Sequence, residues 1–377
     1  MIYMDYSATT PILPEVLDSY NKVSKEFIGN TNSLHGLGIT ANNLFMEATK
    51  QISSVLNISE KEVIYTSGAT EANNMALKGI ALAYQNRGKH IIVSKLEHPS
   101  IYAICDYLKT LGFEIDYVEN DSDGLVSFED LSRLVRKDTI LVSIVSVNSE
   151  LGIRQPLKTL RQIIKKQNTN TLFHSDMTQA IGKVTVNMSD VDLASISAHK
   201  FYGPKGIGML YKNSKVNIVP LMHGSTKAND LRPGTIPLPL IVSMSKALRI
   251  AFEDLNKKEA TVNKYNKKIL ESIESLEGMQ VNQTKYSIPH ILNVSIPKVK
   301  PETFVHALEE KEIYIGTNTA CASGELSDSV MAVYNDKKRA SSTLRISLSY
   351  LTTSNEVTKF MNTFLDVYEN LIEIEEF

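Results

Sequence analysis

Cysteine is scarce in this chain: Cys105 and Cys321 are the only two among 377 residues. Two thiols cannot build a disulfide framework or a multi-cysteine metal site. An excess of one charge is missing as well, because 40 basic and 42 acidic side chains leave a net charge of −2 with histidine neutral. So even a balance, without a basic block, gives no electrostatic case for nucleic acid or an anionic membrane as the main partner. No run of 18 apolar residues occurs; the richest stretch, Thr139-Ile-Leu-Val-Ser-Ile-Val-Ser-Val147, is strand-length and β-branched, which argues against a membrane-spanning helix. The opening MIYMDYSATTP lacks the basic and apolar segments of a secretory signal, so a cytoplasmic protein is expected. What is present is globular: 42% hydrophobic and 22% charged residues, enough for a sizeable core in a chain longer than one average domain. Small-molecule chemistry is the function class these properties favour.

From about residue 40 to 250, short β-branched runs alternate with helical segments: Val63-Ile-Tyr, Ile91-Ile-Val-Ser, Ile140 to Val147, Thr171-Leu-Phe-His, Leu193-Ala-Ser-Ile and Ile207 to Tyr211. This alternation predicts an α/β sheet covered by helices, with its ligand site at the carboxyl ends of the strands. Residues 239–277 contain no glycine and one proline at their start, and predict helix up to Glu277-Gly278, a stretch that could join two domains. His290-Ile-Leu-Asn-Val-Ser-Ile296 and Leu344-Arg-Ile-Ser-Leu348 predict strands of a smaller C-terminal α+β domain.

Chemistry is therefore sought just after each strand. The first ends in Thr66-Ser-Gly-Ala-Thr70-Glu71, where hydroxyls and a small turn run into a helix. Such a turn can cradle a phosphate, or can be an ordinary capped strand-turn-helix. His98 and His174 stand at later strand ends, each able to stack on a planar ring or move a proton, or to serve only as a hydrogen-bonded structural group. Asp176 could be a ligand or a helix cap. Lys200 leaves its strand between His199 and a glycine-rich turn, where loss of solvent lowers an amine's pKa toward nucleophilic, Schiff-base chemistry. A phosphate cradle, a strand-end Asp and a strand-end Lys are together the parts that pyridoxal phosphate requires. Tyr102, Cys105 and Leu108 recur at helical spacing, which marks Cys105 as core packing.

These residues sit in stretches that follow one family's order: Met4-Asp-Tyr-Ser-Ala-Thr-Thr-Pro11, Gly29-Asn30 with Ser33-Leu-His35, Thr66 to Glu71, Glu97-His98 and Asp176-Met-Thr-Gln179. The order continues through Ser197-Ala-His199-Lys200, Arg232-Pro-Gly-Thr235, Thr319-Ala-Cys321 and Ser341-Ser-Thr-Leu-Arg345. Over nearly its whole length the chain resembles a cysteine desulfurase of the NifS/IscS type, in the class V aminotransferase group of fold-type I pyridoxal-phosphate enzymes. The resemblance implies an α/β fold with a large, mostly parallel domain over residues 14–255. A smaller α+β domain would comprise residues 1–13 and 256–377 and carry the cysteine loop.

It also implies roles. Lys200 would carry pyridoxal 5′-phosphate, His98 would stack on its ring and assist proton transfer, Asp176 would pair with the ring nitrogen, and Gln179 would bond the phenolic oxygen. Ala69, Thr70, Ser197 and His199 would hold the phosphate, with Thr235 contributed across a homodimer interface. Arg345, a bidentate guanidinium, would clamp the substrate carboxylate, with Asn30 also at the substrate. Cys321, among the small and polar neighbours of Asn318-Thr-Ala-Cys-Ala-Ser-Gly-Glu, would take sulfur from L-cysteine as a persulfide, release L-alanine and pass the sulfur to an acceptor protein. The destinations implied are tRNA thiolation or iron–sulfur cluster assembly. Selenocysteine lyase, another class V reaction and a low-activity sulfur-transfer scaffold are the alternative readings.

The chain departs from that pattern twice. The 24 positions from Cys321 to Arg345 include Leu326-Ser-Asp-Ser329 where the family usually has Leu-Glu-Pro-Ser, and a charged Asn335-Asp-Lys-Lys-Arg339. Ser149, in Val147-Asn-Ser-Glu150, stands where the family commonly places an asparagine that touches the phenolic oxygen. A hydroxyl is shorter, so cofactor binding is expected to persist through Gln179 with altered electronics.

Overall fold

Residues 1–225, 230–317 and 326–375 are described by the computed structural model. Among the described residues twelve strands form, in chain order: β1 (Ile2–Tyr3), β2 (Val63–Thr66), β3 (His90–Ser94), β4 (Glu114–Val118), β5 (Thr139–Ser143), β6 (Leu172–Asp176), β7 (Leu193–Ser197), β8 (Gly208–Lys212), β9 (Gln280–Val281), β10 (Ile291–Ser295), β11 (Ile313–Tyr314) and β12 (Thr343–Ser347). The helices are α1 (Pro14–Glu26), α2 (Gly36–Leu56), α3 (Ala69–Tyr84), α4 (Pro99–Thr110), α5 (Phe128–Leu134), α6 (Leu157–Gln167), α7 (Leu238–Phe252), α8 (Leu255–Ile273), α9 (Pro301–Glu309), α10 (Asp328–Tyr334), α11 (Lys337–Ala340) and α12 (Ser354–Glu375).

Seven strands make one sheet in the order β2-β8-β7-β6-β5-β3-β4. Only β8 runs against its neighbours, so the carboxyl ends of the other six share one edge. Alternation along each strand separates two cores. Ile92, Met209 and Tyr211 face a cluster with α1, α2, α6 and α7, whereas Ile91, Val93 and Leu210 face α3 and α4. Both faces are covered, which is why these strands are nearly continuous apolar runs. Cys105 lies fully buried in the α3–α4 cluster, where desolvation pushes its thiol up to about 12.

The remaining strands form a smaller system. Strand β10 pairs antiparallel with β12 and β9, while β1 from the chain start pairs parallel with β11. Helices α8, α9 and α12 pack there, and Ile2 and Met4 join Val262, Leu292, Phe304 and Phe364 in one cluster.

The structure corrects three expectations. Residues 239–277 form two helices, because Asp254 takes a left-handed conformation with φ of 51° and the two halves bury their apolar faces in different cores, α7 in the large and α8 in the small. The apolar run to Val147 leaves the sheet after Ser143; there Val145 and Val147 turn to line a cavity. Strand β4 was not predicted, since this sheet-edge segment, Glu-Ile-Asp-Tyr-Val, is only partly buried and mixes charge with apolar residues. Among the described residues no helix is long and apolar enough to cross a membrane.

Candidate active site

A cavity of about 640 Å³ opens at the shared strand edge. Its walls come from the turns after β2, β3, β5, β6 and β7, from the chain start and from β12. Of the predicted residues, Ala69, Thr70, His98, Ser149, Asp176, Gln179, Ser197, His199, Lys200 and Arg345 all line it.

One end presents hydroxyls and cationic groups. Helix α3 begins here behind Gly68, which supplies no side-chain cap, beside Thr70, Ser197, His199, Lys200 and Lys205. Helix N-termini and hydroxyls of this kind suit a phosphate. Strand β8 sets the geometry of the turn by close approach. A Cβ on Gly208 would lie 2.4 Å from the Ile196 carbonyl oxygen and 2.7 Å from Gly68 Cα, so only glycine lets the turn sit this low. Glu71 braces the same turn, accepting from the Ser67 N–H at 2.7 Å and from Arg232 Nε at 3.0 Å, and these hydrogen bonds outweigh its desolvation to hold its carboxyl below the usual range.

The opposite end presents a carboxylate. Asp176 closes β6, with Oδ1 accepting from the Thr178 N–H and Oδ2 from Asn73 Nδ2, both at 2.9 Å. Asn73 also donates to Ser100 Oγ at 3.1 Å, and Ser100 lies 2.9 Å from His98 Nδ1. Because Nδ1 accepts from the Ser100 N–H at 3.1 Å, as the cap of α4, the ring's proton is assigned to Nε2. Burial lowers the His98 pKa below 6.5, Asp176 opposing and Lys200 adding to that shift. His199 is depressed further, to about 4, by desolvation and then by Lys200. The ring of His174 is fully buried and lies between Ser143 Oγ at 2.9 Å and Ser195 Oγ at 3.0 Å, a structural position within the sheet rather than on the cavity.

Lys200 Nζ donates to the Ser7 and Ala8 carbonyls, each at 2.6 Å. Gln179 Nε2 donates to the Ser7 carbonyl at 2.9 Å and to Ser7 Oγ at 3.1 Å. Arg345, on β12, donates from Nη2 to Asp5 Oδ1 at 3.0 Å and from Nη1 to the Ser149 carbonyl at 3.2 Å, while its buried Nε has no hydrogen-bond partner. Ser7, Asn73 and Ser100 had no role in the sequence reading. The position of Asn73 on the otherwise apolar buried face of α3 was the one local signal for it, and nothing local marked Ser7.

Two predicted residues lie elsewhere in the single chain. Thr235 lines an adjoining cavity of about 470 Å³ that shares Ser67 and Gly206 with the first. Asn30 is exposed, its Oδ1 accepting from the Asn32 N–H at 2.9 Å. Cys321 lies outside the described residues.

A doubly wound sheet with a phosphate turn, a strand-end Asp and a strand-end Lys around one cavity defines a pyridoxal-phosphate enzyme. The chain belongs to the family described as Aminotransferase class-V, which it matches over residues 2–360. It is 37% identical to the cysteine desulfurase IscS of Dictyoglomus turgidum, over 99% of this chain and 94% of the relative. It is 38% identical to the NifS/IcsS protein homolog of Lactobacillus delbrueckii subsp. bulgaricus over 99% of both. Among solved structures, a NifS-like protein matches with a TM-score of 0.93 at 36% identity, covering 98% of this chain and 99% of that one. The structure described as SspA in complex with cysteine matches at 0.82 and 29% identity, covering 94% and 100%.

The residues present fit pyridoxal 5′-phosphate. Thr178 Oγ1 and Arg345 Nε are buried polar atoms on the cavity wall that find no protein partner, as expected where a polar ligand completes the site. The cationic, hydroxyl-rich end matches a phosphate, and the anchored Asp176 carboxylate matches a ring nitrogen that must stay protonated.

Proposed function

We propose that this chain is a cysteine desulfurase, taking the sulfur of L-cysteine, releasing L-alanine and leaving a persulfide on Cys321 for a sulfur-acceptor protein. The observation that carries the reading is the meeting of Lys200, His98, Asp176 and Arg345 on one cavity. When bound, pyridoxal phosphate supplies an electron sink that labilises bonds at the amino acid's α and β carbons. The protein supplies the rest. Thr70, Ala69, Ser197 and His199 would hold the phosphate, Asp176 the ring nitrogen, and Gln179 and Ser149 the phenolic oxygen. Arg345 would take the substrate carboxylate on its guanidinium edge, and Lys200 Nζ, as the covalent anchor and then the base, would remove the α-proton. His98, neutral with its proton on Nε2, can deliver that proton to the departing or newly formed centre.

Desulfuration balances with Cys321 as nucleophile: its thiolate forms the S–S bond as the substrate's C–S bond breaks, and carbon retains the pair as a C–H bond after protonation. Cysteine and one enzyme thiol thus become alanine and one persulfide. Gly316, which precedes Cys321 in the chain, exchanges two backbone hydrogen bonds with Arg345 at 3.0 and 2.8 Å, and this pairing supports the reading.

The finer reading is a cytoplasmic homodimer of two-domain chains, divided into residues 14–255 and residues 1–13 with 256–377, that feeds tRNA thiolation or iron–sulfur cluster assembly. Exposed apolar side chains gathered between residues 28 and 46, with Leu34 at 94% and Ile28 at 75% exposure, support a second copy as their cover. Thr235 and Asn30 would then serve the site with that copy. The test is alanine and sulfide release from L-cysteine with a thiol reductant. Wild type should give both products; Cys321→Ser should give neither while keeping the yellow cofactor colour, and Lys200→Ala should lose both activity and the covalently held cofactor. Full activity in Cys321→Ser would overturn the proposal.

A further inference from the structure

One buried lysine, bonded to the cavity residue Gln179, has no part in the chemistry above. Lys183 sits in the turn after β6, with little solvent exposure, and its hydrogen-bond partners among the described residues include no carboxylate. Its Nζ donates to Gln179 Oε1 at 3.1 Å and to the Lys200 backbone carbonyl at 3.2 Å. The neighbouring His290 is buried with Nδ1 unpartnered and is held neutral, its pKa pushed down to about 3 by desolvation and by Lys183. Desolvation, reinforced by Lys200, likewise lowers Lys183 itself to about 7.

We propose that Lys183 is a positioning residue that fixes which end of the Gln179 carboxamide faces the cofactor. A carboxamide has one accepting and one donating end of nearly the same shape, and its neighbours choose between them. In its charged form the Lys183 amine has no lone pair and can only donate, so it selects the carbonyl end of Gln179, while the Lys200 carbonyl takes a second of its protons. The Gln179 NH₂ is thereby turned toward Ser7 and the cavity, where the proton it gives the Ser7 hydroxyl, the longer of its two bonds, can pass to a phenolic oxygen. The inference rests on the cofactor reading of the preceding section and deepens it. It matters more here than in a chain with an asparagine at position 149, because among the described residues lining this cavity Gln179 is the only carboxamide. The second bond, to the Lys200 carbonyl, ties the same cation to the backbone that carries the cofactor's anchor.

The experiment compares reconstitution with pyridoxal phosphate and the pH dependence of the bound cofactor's visible absorbance in four proteins. In Lys183→Met, which keeps the chain length and removes the donor, cofactor affinity should fall about tenfold and the absorbance midpoint should move by about one pH unit. In Lys183→Gln, which restores a neutral donor, both should stay near wild type. Adding Ser149→Asn to Lys183→Met should recover part of the shift by supplying a second amide. A folded Lys183→Met with unchanged affinity and midpoint overturns the inference. If that variant does not fold, Lys183→Gln decides: a wild-type midpoint supports the role and a displaced one overturns it. If wild type itself takes up no pyridoxal phosphate, the proposed function falls and this inference with it, an outcome distinct from a normal wild type with an indifferent Lys183→Met.

Discussion

At His98 two demands meet in one ring: its Nδ1 caps α4 by accepting from the Ser100 N–H, and in the proposed reaction its other nitrogen keeps a proton to deliver. Burial depresses its pKa, so the neutral ring persists to lower pH than an ordinary imidazole. The acid limb of kcat/KM assigned to His98 should therefore fall below pH 6.5, the unperturbed value; a limb at or above it, still present in His98→Asn, would refute the assignment. Arg345 yields a second expectation. Arg345→Lys keeps the charge but loses the planar fork, so KM for cysteine should rise about tenfold or more, with the cofactor's spectrum unchanged. A changed spectrum with unchanged KM would move Arg345 from the substrate to the cofactor. Strand-end placement made Asp176 and Lys200 legible in the sequence and the family resemblance added Ser197, whereas Ser7 and Asn73 were not legible, because their partners lie about 100 to 190 residues away along the chain.

Elements place these residues through packing that local pattern does not carry. Gly208 opens β8, and its missing side chain is what lets the Gly68 turn rest against the sheet. Gly208→Ala should lower pyridoxal-phosphate affinity by about tenfold or more and cost about 1–3 kcal/mol of stability by overpacking, read by cofactor titration and thermal melting. An alanine variant with wild-type affinity would show that the turn can retreat. The division of residues 239–277 into α7 and α8 teaches the same lesson. Helical composition runs through Asp254 without a break, but the two cores demand different directions, and tertiary packing overrides propensity.

For the whole molecule the open question is the cover for the apolar side chains at Ile28, Leu34, Leu37, Ile39 and Met46, each more than half exposed in the single chain. A second copy is the occupant proposed. Light scattering behind size exclusion should give twice the 42.0 kDa chain mass, and Leu34→Asp with Leu37→Asp should yield monomers with weakened cofactor binding. A fully active wild-type monomer would sink the shared-site reading.

The amino-acid sequence by itself determined the alternating α/β character, the apolar alternation that builds two-sided cores, and the chemical types that stand at the strand ends. Those follow from period-two patterning and turn chemistry, which act over a few residues. Tertiary structure alone decided that the chain start reaches into the cavity to hold Lys200 and Gln179, that Asn73 and Ser100 link Asp176 to His98, and that Lys183 lies buried behind Gln179. The first two depend on hydrogen bonds between segments about 100 to 190 residues apart. Gln179 and Lys183 are near neighbours in sequence, but the burial of Lys183 comes from packing that brings His290 beside it, and such contacts are selected by how whole elements pack.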